Sequence, residues 1–229
     1  MMIANESKIW STLKQIGFTD FACAGIMANI FVESGFKPDN VQNSFEKRLG
    51  TDAEYTKKVN ERSYTREQFA NDSAGYGLCQ WTYHTRKSAL YDFCMCRSTK
   101  IDNIVDQLLF MTQECRNSGL FDKLNKCASP YDAGVLFMLN FEKPKNQSVA
   151  AQKRRGELAV RFYNDKVDTK SLDNAYFALD NLFSEVKDTL KGKYGNGADR
   201  VKALGADYEI VQKIINMFVQ LNNVSRETN

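Results

Sequence analysis

The chain has 229 residues and a formal net charge of +3, with 43% hydrophobic and 26% charged residues. That is the balance of an ordinary globular protein of two modest domains, large enough to fold without disulfides or a structural metal. Interleaved acids and bases argue against a nucleic-acid partner, and no apolar run approaches the ~20 residues that insert across a membrane.

The opening MMIANESKIW has no basic region followed by an apolar block, so no secretory signal is expected and synthesis in the cytoplasm follows. The six cysteines all precede position 130 and are expected as free thiols in that compartment. Cys94 and Cys96 are too close for a CxxC pair, and His84 is the single histidine. No metal site and no cofactor is expected.

Helical periodicity begins at 6–16, where Ile9, Trp10, Leu13 and Ile16 share a face and Gly17 stops the run. Thr19 or Asp20 caps a second helix, DFACAGIMANIFVES, whose small residues permit close packing; Gly35 and Pro38 end it. A polar, irregular region follows to about 75, with short helices near 52–60 and 65–71 and then the turn GYGLCQW. Further helices are predicted at 84–97, 101–116, 130–140 and 148–164. The fold class is mainly α: a helical domain over 1–165, a linker at 166–174 within the polar stretch NDKVDTKSLDN, and a three-helix bundle over 175–229.

The stretch FVESGF closes the second helix on Glu33, which shares a face with Ile26 and Ile30. Burial and the helix C-terminus both disfavour a charged carboxyl there, as a general acid requires. That reading needs water and positive charge to be kept from the Glu33 carboxyl. Taken alone, the pattern also suits an interfacial glutamate paired with lysine or arginine. In GYGLCQW the glycines let backbone approach a ligand, while Gln80, Trp81 and Tyr83 are residue types that hold sugars; Tyr76 is a further candidate. Each aromatic serves equally well as core.

Together ESGF and GYGLCQW resemble the lysozyme-like superfamily. The ordered blocks AGIMANIFVESGFKPDNVQNSFE, NDSAGYGLCQWTYHTRKSAL, FMLNFEKP and RRGELAVRFYN resemble the phage tail-tip lysozymes in particular. The resemblance implies that Glu33 is the catalytic acid and that the substrate is peptidoglycan glycan. Asp72, just before the glycine turn, is the candidate second carboxylate, with turn capping as its plain role. Glu142 competes for it, with a salt bridge to Arg154 or Arg155 as the alternative. Asn40 and Asn43 border the expected site, and His84 is expected at an exposed helix start.

The tail EVKDTLKGKYGNGADRVKALGADYEIVQKIINMF resembles the cell-wall-binding repeat of some phage lysozymes, with Tyr194 where tryptophan is commoner. The resemblance implies a module that recognises a disaccharide and its first stem-peptide residues through Tyr194, Asn196, Gly197, Arg200 and Tyr208. Arg200 is a bidentate partner for a stem-peptide carboxylate. A single copy departs from the usual array, and self-association through this C-terminal domain would compensate by avidity. The whole is expected to be an endolysin that accumulates in the host cytoplasm and cuts between N-acetylmuramic acid and N-acetylglucosamine. A lytic transglycosylase and a non-catalytic wall-binding or tail component are the rival readings.

Overall fold

A computed structural model describes residues 2–227, with side-chain surroundings for 5–167 and 178–220. The chain divides into two compact units, Met1–Asp165 and Lys166–Asn229. In the first lie α1 (Met2–Ile16), α2 (Asp20–Ser34), α3 (Glu46–Leu49), α4 (Asp52–Asn60), α5 (Arg66–Asn71), α6 (His84–Cys96), α7 (Ile104–Asn117), α8 (Leu120–Asn125) and α9 (Pro130–Phe137). Then come α10 (Val149–Leu190), α11 (Ala198–Leu204) and α12 (Tyr208–Glu227). The described residues contain no strand, only isolated bridges pairing Tyr76 with Val41 and with Trp81. The architecture is mainly α, as the periodicity requires.

α2 is the axis of the first unit. The Thr19 side chain accepts from the Ala22 N–H at its start. At its end Gly35, at φ 59°, donates its N–H to the Phe31 carbonyl, satisfying one of the helix's last acceptors. Between them Cys23, Ala24, Ile26, Met27, Ala28 and Ile30 are wholly buried, because other helices cover this one on nearly every side.

Glycine sets how closely two of those neighbours approach. A Cβ on Gly25 would stand 2.5 Å from the Ala133 carbonyl carbon of α9. Asn29 bridges the same contact, donating to the Gly25 carbonyl at 2.8 Å and to the Gly134 carbonyl at 2.9 Å. On the far face of α9, a Cβ on Gly134 would lie 2.8 Å from the Arg155 carbonyl oxygen of α10. Three helices are thus stacked at backbone distance, α2 against α9 against the start of α10.

Two of the boundaries that differ between sequence and structure have a plain local cause. α7 starts at Ile104, three residues later than its periodicity suggests, because the Asn103 side chain accepts from the Val105 and Asp106 N–H groups. The polar stretch 166–174, expected as a linker, is helical backbone inside α10. It contains neither glycine nor proline, so polarity alone gives the helix no reason to stop.

In the second unit Val186, Leu204, Val211 and Ile215 form a small core, with Leu182, Tyr194, Tyr208 and Ile214 packed around it. Among the described residues no helix is long and apolar enough to cross a membrane.

Gly25→Ala is expected to destabilise the first unit by about 1–3 kcal/mol, because backbone stands in the way of the added methyl. Urea denaturation followed by tryptophan fluorescence checks this, since Trp10 and Trp81 both lie in that unit.

Candidate active site

Glu33 opens onto a cleft of about 690 Å³. Asn40, Gln42, Asn43 and Ser44 line one side, Cys79, Gln80, Thr82, Tyr83 and Arg86 another, and Glu142 and Pro144 complete it. A hollow of similar size, about 730 Å³, lies among Asp39, Lys57, Asn60, Lys100 and Asp102. There Asp102 is already engaged by the Asn60 amide at 3.0 Å. Volume does not choose between the two. The convergence of two glutamates, two arginines and several amides does, and it favours the Glu33 cleft.

The glycine turn forms a wall because Gln107 grips it from beneath. Gln107 accepts from the Leu78 N–H at 2.8 Å and donates to the Pro38 and Ile101 carbonyls. Gly77, at φ 76°, passes so close that a Cβ would meet the Gln107 Oε1 at 2.7 Å. Its N–H donates to the Asn40 carbonyl, tying the turn to the opposite loop. Gln80, itself at φ 45°, donates its amide to the Asn40 and Gly77 carbonyls at 3.0 and 3.1 Å. It therefore braces the two walls as well as lining the cleft.

The Glu33 carboxyl is not free of cations. Arg155 Nη2 donates to Glu33 Oε1 at 2.5 Å, and Arg155 Nη1 donates to the Asn29 carbonyl at 2.9 Å. The expectation of a glutamate shielded from positive charge is overturned: Glu33 is partly exposed, at 22%, and rests in an ion pair. The stacking of α10 on α9 delivers Arg155 there, a long-range consequence that no local pattern around Glu33 reveals. Arg154 or Arg155 was the expected partner of Glu142, and Arg155 pairs with the other glutamate.

Glu142 stands in the opposite condition. Its Oε1 is buried with no hydrogen-bond partner. Burial, reinforced by the negative charge of Glu33, holds its carboxyl well above the usual carboxylate range, against the pull of Arg86 and Arg155. Arg86 is committed elsewhere, to a two-point contact with Glu114 at 2.6 and 2.9 Å.

Asp72 and two of the aromatics lie outside the cleft. The Asp72 carboxylate is buried at the end of α5, in an ion pair with the fully buried Lys87 and accepting from the Tyr55 hydroxyl. Burial lowers the Lys87 pKa, and Asp72 opposes that shift. This placement suits a core ion pair and keeps Asp72 from acting as second carboxylate on a substrate in the cleft. Tyr76 is wholly buried, its hydroxyl 2.9 Å from Thr56 Oγ1. Trp81 is also wholly buried, donating Nε1–H to Glu114 and packing on Phe110. Both support the turn from below. Tyr83, 64% exposed, is the aromatic that reaches the cleft, and Asn40 and Asn43 line it as expected. His84 begins α6 with its ring against Tyr83.

In the second unit Arg200 closes the GNG loop on itself. Its guanidinium donates to the Gly195 carbonyl at 3.0 and 2.8 Å, to Asn196 Oδ1 at 2.8 Å and to Gln212 Oε1 at 3.0 Å. Gly197, at φ 58° and ψ −126°, starts α11 in a backbone conformation closed to other residues. Tyr194 and Tyr208 are half-buried against the small core.

Residues 4–165 match the family profile described as phage tail lysozyme. The chain belongs to the phage tail lysozyme family. In this lysozyme residues 180–219 further match the CW_7 repeat, a cell-wall-binding unit. A search among curated proteins gave no match. The enzyme is thus a phage lysozyme of glycosidase type that acts on peptidoglycan. Local pattern missed Arg86 and Gln42 as parts of the lysozyme's cleft, and Glu114 as the acceptor that holds Arg86, since nothing in their own neighbourhoods marks them.

Asp72→Asn or Lys87→Met leaves one buried charge unpaired, and each is expected to cost about 3–5 kcal/mol in urea denaturation. The folded fraction of either variant should keep the wild-type kcat, because the pair is buried outside the cleft.

Proposed function

We propose that this lysozyme hydrolyses the β-1,4 bond between N-acetylmuramic acid and N-acetylglucosamine, with Glu33 as general acid. The observation that carries this is a glutamate at the end of a buried helix, opening on an amide-rich cleft with one exposed aromatic ring. Asn40, Asn43 and Gln80 suit sugar hydroxyl and acetamido groups, and Tyr83 offers a face to a pyranose ring. Glu33 donates its proton to the glycosidic oxygen as the bond to the departing sugar breaks. It starts from an ion pair, so it must acquire that proton inside the cleft.

The wall-binding repeat holds the enzyme on an insoluble substrate and raises its effective concentration there. Tyr194, Asn196, Gly197, Arg200 and Tyr208 form the ligand face of this module, with Arg200 shaping the loop that carries Tyr194, Asn196 and Gly197, and Tyr208 at the start of α12. Such a pairing of cutter and anchor fits an endolysin that lyses the host from within.

The placement of Asp72 in the core supports a second reading. A lytic transglycosylase needs one acid, closes a 1,6-anhydro ring in place of water attack, and makes no demand for a second ionised carboxylate.

Mass spectrometry of muropeptides released from purified walls separates the two: reducing ends support hydrolysis, and anhydro ends reject it. Glu33→Gln is expected to lower kcat by about 10²- to 10⁴-fold with KM retained. Arg200→Ala is expected to reduce co-sedimentation with walls while cleavage of soluble glycan fragments stays at the wild-type rate.

A further inference from the structure

Glu142 reaches the cleft by an irregular backbone. After Phe137 the chain makes one π-helical turn, Met138–Glu142, and closes it with Lys143 at φ 48°, whose N–H donates to the Met138 carbonyl at 2.8 Å. Turns of this kind re-aim the side chains that follow, and a left-handed non-glycine residue persists only where its surroundings enforce it. Here Phe137 stacks on Phe141 at 4.6 Å, and the Arg86 guanidinium lies 4.7 Å from the Phe141 ring. The turn holds one carboxyl in the same cleft as Glu33, with one oxygen sealed from both water and hydrogen-bond donors.

Resting on the Glu33 reading, we propose that Glu142 is the proton-holding partner of Glu33: the two carboxyls keep one proton between them, carried by Glu142 in the empty cleft and passed to Glu33 when substrate enters.

The titratable groups facing Glu142 are Glu33 on α2, the neutral Cys79 thiol in the glycine turn, Arg86 on α6, Glu114 on α7 and Arg155 on α10. Arg86 gives its hydrogen bonds to Glu114 and Arg155 gives its own to Glu33, so both arginines act on Glu142 through their charge alone. An ionised Glu142 would leave a buried oxygen without a donor, and the neutral acid avoids that cost. Arg155 is 7% exposed and anchored to the Asn29 carbonyl, so it cannot follow a sugar out of the cleft. When substrate displaces Glu33 from Arg155, the preference reverses and the proton crosses, directly or through one water. Glu33 then gives it to the glycosidic oxygen as the C1–O bond breaks. The water that adds hydroxyl to C1 releases a proton, which restores Glu142.

The test compares the pH dependence of kcat for wild type, Glu142→Gln, Glu142→Asp and Glu33→Gln on soluble glycan fragments. Glu142→Gln keeps shape but has no acidic proton to pass on. Its kcat at neutral pH should fall at least about 100-fold with KM unchanged. Its activity should recover toward acid, the alkaline limb moving down by about 1 pH unit or more, because Glu33 must then draw its proton from solvent. Glu142→Asp should restore much of the rate and the wild-type limb. A Glu142→Gln profile that keeps the wild-type limb, at any absolute rate, would overturn the proposal. Infrared difference spectra of the unliganded wild-type enzyme at neutral pH give a second readout that needs no variant to fold. They should show a protonated carboxyl stretch, and its absence would also overturn the proposal. If Glu33→Gln stays active, the parent reading fails. If it is inactive while Glu142→Gln retains the wild-type limb, this inference alone fails.

Discussion

The close approach of three helix backbones governs this lysozyme. Gly25 admits α9 against α2, and Gly134 admits α10 against α9. Their missing side chains let Arg155 reach from α10 to both the Asn29 carbonyl and the Glu33 carboxyl. Were either glycine larger, the helices would separate, and Glu33 would lose the cation that defines its resting state. The electrostatics of the cleft therefore depend on backbone packing that two glycines permit.

Two acid–base pairs illustrate what burial does to chemistry. Lys87 and Asp72 are sealed together in the core, with the Tyr55 hydroxyl and the Ala74 backbone completing their hydrogen bonds. A pair so fully satisfied has nothing left to offer a substrate, and its contribution is to hold α5 against α6. Glu33 and Arg155 are also paired, but at a cleft wall where a ligand can compete for the glutamate. Beside them Glu142 lacks a partner for one oxygen, and of the buried oxygens in that condition it is the one that belongs to a residue lining the cleft.

The second unit follows a different logic. Its core is small, and Arg200 compensates locally by tying the GNG loop to Gln212 of α12. Arg200 therefore builds the loop's shape as well as contributing charge. A loop clamped in this way has its backbone shape fixed by the protein's own hydrogen bonds.

The helices, the buried character of α2, the cleft wall at GYGLCQW and the wall-binding tail were legible in the residues alone. Apolar spacing, capping groups and glycine positions are local physics, and ordered motifs are local text. Glu33, Gln80, Tyr83, Asn40 and Asn43 came from the same source and stand together in the cleft. The sequence could not place Asp72, Tyr76 and Trp81, because a carboxylate or ring beside a turn looks the same whether it faces solvent or core. Nor does composition show that a polar stretch without glycine or proline continues as helix. Only the tertiary structure decided that Arg155 meets Glu33 and that Glu142 lacks a partner for one oxygen. Those facts join positions 122 and 109 residues apart in the chain, and the charge state of a carboxyl depends on what stands beside it in space.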